Sequence, residues 1–174
     1  SFCTFDPVLT ALEAHKAQYP DIIPILSPAS ASTDTRFGTA AHFRSRLESI
    51  CGHDVWDTIA QVEPIGPKKL LDALIVAPAT GNTLAKLACG IADDALSTFG
   101  ATFNGKTLLA PAMNPQMWAH AACRENVETL RQRGVFFAGP ATGRVACGDD
   151  GPGRMAEPEE ILAAILRILE QEGE

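Results

Sequence analysis

The sequence is short of charge, aromatics and metal-binding patterns, and each shortage excludes something. Only 20% of its 174 residues are charged and 46% are hydrophobic, which excludes a disordered chain and describes one globular domain with a full core. The net charge of -7 argues against nucleic acid or an anionic membrane surface as the main partner. No apolar run reaches transmembrane length, and no basic-then-apolar signal pattern opens the chain. The five cysteines are odd in number, scattered and without C-x-x-C. They point away from a disulfide framework or a zinc site, and make a reducing cytoplasm the expectation. There is no G-x-G-x-x-G and no G-x-x-x-x-G-K-[ST], so ordinary dinucleotide and triphosphate loops are not supported. The four histidines (His15, His42, His53, His120) lie apart and read as surface or interface residues. The pairs Asp93-Asp94 and Asp149-Asp150 lack metal-ligand spacing and read as caps or solvated turns, so no metal is expected.

What is present is an alternation of apolar runs and amphipathic segments. It predicts an α/β fold: a doubly wound parallel sheet with helices on both faces, three layers in all. Asp6-Pro7 predicts a helix start running toward Tyr19-Pro20. Residues 22–26 read as a strand despite Pro24, which suits an edge or a strand start. Residues 40–50 read as a helix, 74–77 as a strand and 82–91 as a helix. Residues 106–110 follow as a strand, then 115–133 as one long helix ended by Gly134, and 135–138 as the last strand. Residues 141–155 read as a glycine-rich irregular loop, too long for a simple hairpin. Glu157-Pro158 opens a terminal helix with Ile161, Leu162, Ile165, Leu166 and Leu169 on one face. A doubly wound sheet usually begins with a central strand, and none precedes Ser1. The expectation is a leading strand ahead of Ser1, or another segment filling the middle of the sheet.

Three strand-to-helix loops put small or hydroxyl residues at helix N-termini: residues 1–4, 77–83 and 111–118. Orphan N–H groups and the helix dipole favour a phosphate there, though each Ser, Thr or Asn also serves as a plain helix cap. Three such loops together suggest a mononucleotide-type cofactor. The third, Pro111-Ala112-Met113-Asn114-Pro115-Gln116-Met117-Trp118, would lie at the carboxyl end of a strand, where open α/β sheets bind ligands. It offers a neutral amide, a thioether and an aromatic face. In the glycine-rich loop, Cys147 has Arg144 and Arg154 near it in sequence, and adjacent cations raise thiol reactivity. The segment is either a lid over a site or a solvated loop with an incidental cysteine.

These motifs resemble a family. P-A-M-N-P-Q-M-W is similar to the P-x-M-N-x-x-M-W signature of the homo-oligomeric flavin-containing cysteine decarboxylases, and Pro78-Ala79-Thr80-Gly81-Asn82-Thr83 to their P-A-S-A-N-T motif. Ala146-Cys147-Gly148 through Gly153-Arg154-Met155 resembles the substrate clamp of the phosphopantothenoylcysteine decarboxylases. In the first half, Ser1-Phe2-Cys3-Thr4, Thr33-Asp34-Thr35-Arg36-Phe37-Gly38 and the stretch from Glu63-Pro64 to Asp72 resemble the flavoprotein component of dipicolinate synthase, of the same superfamily.

The resemblance implies a Rossmann-like, flavodoxin-like flavoprotein binding FMN at a homotrimer interface, sometimes within a dodecamer. It implies that Ser1 and Ser27 meet the FMN phosphate. Thr80, Asn82, Thr83 and Ser97 or Thr98 would complete the cofactor pocket, with Ala112 and Met113 lining it. Phe99, Met117 and Trp118 would lie near the cofactor edge, where a neighbouring copy could cover the flavin. Asn114 would hold the carboxylate of a small-molecule or peptidyl cysteine-type substrate, and Cys147 would supply a proton. The implied chemistry oxidises the thiol to a thioaldehyde, after which CO2 leaves. The family's histidine before the P-A-S-A-N-T strand is replaced here by Glu63-Pro64, which moves its role to Glu63 or a water, or favours the dipicolinate-synthase-type reading or a non-catalytic flavin-binding protein.

Overall fold

The computed structural model describes residues 2–18, 21–64 and 71–170. Its centre is a parallel sheet of β1 (Ala73–Ala79), β2 (Lys106–Pro111) and β3 (Phe136–Phe137), in the order β1-β2-β3. In β2, Leu108, Leu109 and Ala110 are all fully buried. A continuous apolar run of this kind is the mark of a strand covered on both faces. Successive residues then serve opposite layers. Leu109 joins Leu74 and Val76 against Leu84 of α5 (Gly81–Cys89), Phe99 of α6 (Ala95–Thr102) and Val127 of α8 (Ala121–Gln132). Leu108 and Ala110 face Ile161, Ile165 and Ile168 of α9 (Pro158–Glu170), with Val8 of α1 (Phe5–His15) packed alongside. The three-layer α/β expectation therefore holds. Pro78 is accommodated where the β1–β2 register shifts, between Val76 and Ala79.

Several elements differ from the sequence reading. The first helix starts at Phe5 after a 3-10 turn (Phe2–Thr4), so Asp6-Pro7 lies inside it. Residues 22–26 are reduced to a single parallel bridge, Ile25 to Trp56. Pro24 brings no N–H, so its carbonyl accepts from Trp56 while Leu26 donates back to Trp56. The long helix is two: α7 (Pro115–Ala119) and α8, broken at His120. His120 is extended at φ -61°, ψ 135°, and its Nδ1 accepts from the Ala122 N–H, so it caps the second helix.

The glycine-rich segment is also a correction: it is an antiparallel hairpin, β4 (Ala141–Arg144) with β5 (Asp150–Arg154). Its irregular composition reflects how closely β5 approaches the loop after β2. Met113 donates its N–H to the Gly153 carbonyl at 2.9 Å. A Cβ on Gly153, at φ +136°, would stand 2.3 Å from the Met113 oxygen. Only glycine fits that contact.

The outer edge of β1 pairs with no strand among the described residues. It faces an apolar groove of about 530 Å³ lined by Ile22, Ile25, Ile75, Ala77, Phe99 and Leu166. Ile75 and Leu166 are left 37% and 38% exposed there.

Candidate functional site

Two clusters lie at the carboxyl end of the sheet. The first is built from helix caps. Thr80 caps α5, accepting from Thr83 N–H at 3.3 Å, and the Thr80 and Thr83 hydroxyls are 3.2 Å apart. Ser27 caps the short α2 (Pro28–Ser32) in the same way, with its hydroxyl 3.1 Å from that of Ser30. These hydroxyls share a cavity of about 150 Å³ with Asn82, Lys86 and Ser97. Lys86 Nζ donates to Asp93 at 2.5 Å and Asp94 at 2.6 Å. Both bonds raise the lysine's pKa above its ordinary value. Burial works against ionisation of Asp94, but Lys86 and the N–H and hydroxyl of Ser97 outweigh it and hold the carboxyl below its usual range. The Asp94–Ser97 pair is a capping box at the start of α6. The reading of Asp94 as a cap is thus met.

The cavity offers neutral hydroxyls, an N-terminal helix dipole and one cation already balanced by carboxylates. That donor set suits a phosphate. Of the sequence-predicted cofactor residues, Ser27, Thr80, Asn82, Thr83 and Ser97 line it. Thr98 does not, and its hydroxyl is buried without a partner. Ser1 and residues 65–70, within the Glu63-to-Asp72 motif, lie outside the described residues. Ala112 donates its N–H to Ala79 at 3.0 Å, and Met113 is buried with its sulfur 3.6 Å from Cys123 Sγ.

The second cluster forms where the hairpin meets the loop after β2. Asn114 caps α7, its Oδ1 accepting from the N–H groups of Gln116 at 2.8 Å and Met117 at 3.1 Å. With the oxygen committed to the helix, the NH2 must face the other way, toward the hairpin. There it lies 3.2 Å from Asp149 Oδ2 and 4.0 Å from Cys147 Sγ. The thiol is itself 3.4 Å from the same Asp149 oxygen. Arg36, from the turn bridged between Thr35 and Gly38, donates to the Ala146 carbonyl at 3.3 Å. Motifs separated by 33 residues and by 110 residues in the chain thus converge on one exposed rim. Of the two arginines near it in sequence, Arg154 pairs with Glu157, and the charged group in contact with the Cys147 thiol is the carboxylate of Asp149. Glu63 is exposed at the C-cap of α4 (Ile59–Val62) and lines neither cluster. Sequence reasoning took Asp149 for a cap or a solvated turn. Its one signal was its place two residues after Cys147, and a 35-residue contact with Asn114 leaves no trace in a single sequence.

The fold and site define a three-layer α/β domain with a hydroxyl-lined cavity and an Asn–Cys rim at the carboxyl end of its sheet. The "Flavoprotein" family model matches residues 11–170, and the chain belongs to that family. It is 45% identical over 153 residues to the coenzyme A biosynthesis bifunctional protein CoaBC of Haemophilus influenzae, covering 84% of this chain and 36% of that protein. It is 41% identical over 137 residues to the CoaBC protein of Mycobacterium tuberculosis, covering 78% and 32%. The chain thus spans about a third of the length of these relatives.

Among solved structures it superposes on a PPC decarboxylase variant complexed with pantothenoylaminoethenethiol, with a TM-score of 0.77 at 22% identity over 95% of this chain and 93% of that one. It superposes on the FMN-dependent cysteine decarboxylase TvaF from thioviridamide biosynthesis with a TM-score of 0.65 at 28% identity, over 80% and 85%. Among the described residues no group of His, Cys, Asp and Glu could hold a metal, and no helix is long and apolar enough to cross a membrane.

Proposed function

We propose that this chain is an FMN-dependent decarboxylase of a cysteine-type carboxylate. The observation that carries the reading is the Asn114 amide. Its cap orients it so that its donors face the Cys147 thiol. A ligand held there would have its carboxylate on the Asn114 NH2 and its neighbouring carbons within reach of the thiol. The hydroxyls of Ser27, Thr80 and Thr83 and the Asn82 amide would hold the phosphate of FMN. When bound, FMN would supply the oxidation of the substrate thiol that makes loss of CO2 feasible. Cys147 would hold a proton at Sγ for the product carbon. Glu63 takes no part in this arrangement.

The 150 Å³ cavity is about half the low end of the ~300–1,000 Å³ range for drug-sized ligands. It can take the phosphate but not the ring system. A second copy of the chain would cover the remainder, consistent with Met117 at 53% exposure beside Gly81. A neighbouring copy is inferred there, and the resemblance to the homo-oligomeric flavin-containing cysteine decarboxylases makes a homotrimer the expected assembly.

Reconstitution with FMN, followed by mass spectrometry after incubation with phosphopantothenoylcysteine and with a peptide ending in cysteine, tests the function. The expected result is retained flavin and loss of CO2 from one of the two, with Cys147→Ser shifting the product from saturated thiol to enethiol. Light scattering on the same sample should give a trimer. Protein that retains no flavin and leaves both substrates intact would overturn the reading.

A second reading, a flavoprotein of the dipicolinate-synthase type, is favoured by Arg36. Its guanidinium at Ala146 could take the second carboxylate of a cyclic dicarboxylate.

A further inference from the structure

A proton donor on a hairpin tip can act only while the tip lies over the site. The tip that carries Cys147 spans residues 145–149, and residues 146–149 are exposed. It is closed on itself by Val145 N–H to Asp149 carbonyl at 3.0 Å and Gly148 N–H to Val145 carbonyl at 2.9 Å. Those bonds shape the tip but do not tie it to the rest of the domain. Asn114 reaches it, at 3.2 Å to Asp149 and 4.0 Å to Cys147. In the proposed reaction, however, the substrate carboxylate takes that same NH2. Arg36 makes a tie that does not compete with substrate. Its guanidinium donates to the Ala146 carbonyl at 3.3 Å. That carbonyl belongs to the rigid peptide plane leading into Cys147, so holding it restricts where the thiol can sit.

The turn behind Arg36 is firmly built. Thr35 and Gly38 exchange backbone hydrogen bonds at 3.0 and 3.2 Å. Asp34 Oδ1 accepts from the Ala40 N–H at 2.9 Å, which fastens the turn to α3 (Ala40–Cys51). A Cβ on Gly38, at φ +151°, would stand 2.8 Å from the ring of the buried Phe43, so the turn sits directly on the core. The Arg36 guanidinium lies 4.8 Å from the centroid of the exposed Phe37 ring. This stack orders the long side chain and so lowers the entropy lost when it donates to Ala146.

We propose that Arg36 is a positioning residue, the catch that holds the Cys147 tip over the site until the proton is delivered. The inference rests on the reading that Cys147 gives its Sγ proton to the product carbon. With the catch closed, the proton passes from Sγ to that carbon, the hydride equivalent taken from the substrate returns, and a saturated thiol leaves. With the catch open, the enethiol leaves first, and in air dioxygen takes up the electrons left behind. Arg36 therefore sets the partition between the two products through Cys147, without touching the reacting atoms.

The test uses the FMN-loaded protein in air, with phosphopantothenoylcysteine and a peptide ending in cysteine as substrates. Wild type, Arg36→Met, Arg36→Lys and Cys147→Ser are compared. Mass spectrometry gives the ratio of enethiol to saturated thiol, which a general loss of activity does not move. Peptide-resolved alkylation by iodoacetamide, without substrate, gives the reactivity of Cys147 against the exposed Cys89 as internal standard. Arg36→Met should raise the enethiol ratio about three- to tenfold, the weight of one hydrogen bond. Arg36→Lys keeps a donor and should fall between. Alkylation of Cys147 relative to Cys89 should rise by a similar factor in Arg36→Met, and Cys147→Ser fixes the upper limit of the enethiol ratio. An unchanged ratio, or Cys147 alkylated at the wild-type rate, overturns the catch and leaves the decarboxylase reading intact. If the wild type turns over neither substrate, or yields no saturated thiol, the reading of Cys147 falls, and alkylation alone decides whether Arg36 holds the tip.

Discussion

At the scale of single residues, Asn114 does two jobs with the two ends of one amide. Its oxygen caps α7 and its nitrogen faces Cys147. The two jobs can be separated. Aspartate caps a helix about as well as asparagine, so Asn114→Asp should keep the fold, whereas Asn114→Ala should lose ~1 kcal/mol of cap energy. That loss corresponds to a fall in melting temperature of about 2–4 °C for a domain of this size. Both variants lose the donor, and the aspartate also sets a second carboxylate against Asp149. Hydrogen bonds to charged groups contribute about 1.5–3 kcal/mol, so turnover of a carboxylate substrate should fall at least tenfold in each. Melting curves with substrate kinetics check this. An Asn114→Asp protein with wild-type turnover would remove Asn114 from the site.

At the scale of elements, the hairpin and the loop after β2 act as one unit because glycine lets their backbones touch. Gly153→Ala puts a methyl 2.3 Å from the Met113 carbonyl in a backbone conformation unfavourable to alanine. Overpacking of this kind costs about 1–3 kcal/mol. The expected outcome is a lower melting temperature together with faster hydrogen exchange at the Met113 amide. Gly148→Ala, strained in the same way at φ +96° but with open space around the added carbon, should leave that amide protected. Equal exchange in both variants would show that the close approach does not hold the clamp.

The start of α6 makes a different prediction. The folded carboxyl of Asp94 titrates below its ordinary value. Its stabilisation is therefore complete above the unfolded carboxylate value of about 3.9, and it fades as pH falls through the lower folded value. Asp94→Asn retains a capping side chain but not the charge, so its stability should change less than that of the wild type between about pH 5 and pH 3. Parallel urea-denaturation series across that range would contradict the assignment.

At the scale of the whole molecule, the groove beside β1 is the least finished part of the core. One wall is a strand edge that pairs with no strand among the described residues, and the other carries Ile22 and Ile25. Apolar walls with a strand edge between them fit one more parallel strand, as the doubly wound pattern leads one to expect. An added apolar strand of about five to seven residues seated in that groove should raise the melting temperature, on the order of 5 °C for a gain of ~2 kcal/mol. It should also slow exchange of the amides at residues 74–77. If neither quantity moves, the groove does not take a strand.

What was legible in the sequence was local. Periodic apolar residues specified α3 (Ala40–Cys51), α5, α9 and the strands β1 and β2, because burial on one or both faces writes a period into the chain. The hydroxyl cap at Thr80 was legible for the same reason, since a cap acts over three residues, whereas the short helix that Ser27 caps was read as loop. The hairpin was not, because its glycines answer to a backbone far away in sequence rather than to their neighbours. Phe99, expected near an exposed cofactor edge, is instead stacked on Phe103 in the core, because the α6 face that carries it turns toward the sheet. The sequence by itself determined an α/β domain, the caps at Thr80 and Asn114 and the motifs by which it resembles a flavoprotein. Only the tertiary structure decided that Asn114, Cys147, Asp149 and Arg36 share one rim, because contacts across 33 to 110 residues depend on how layers pack and not on any local pattern.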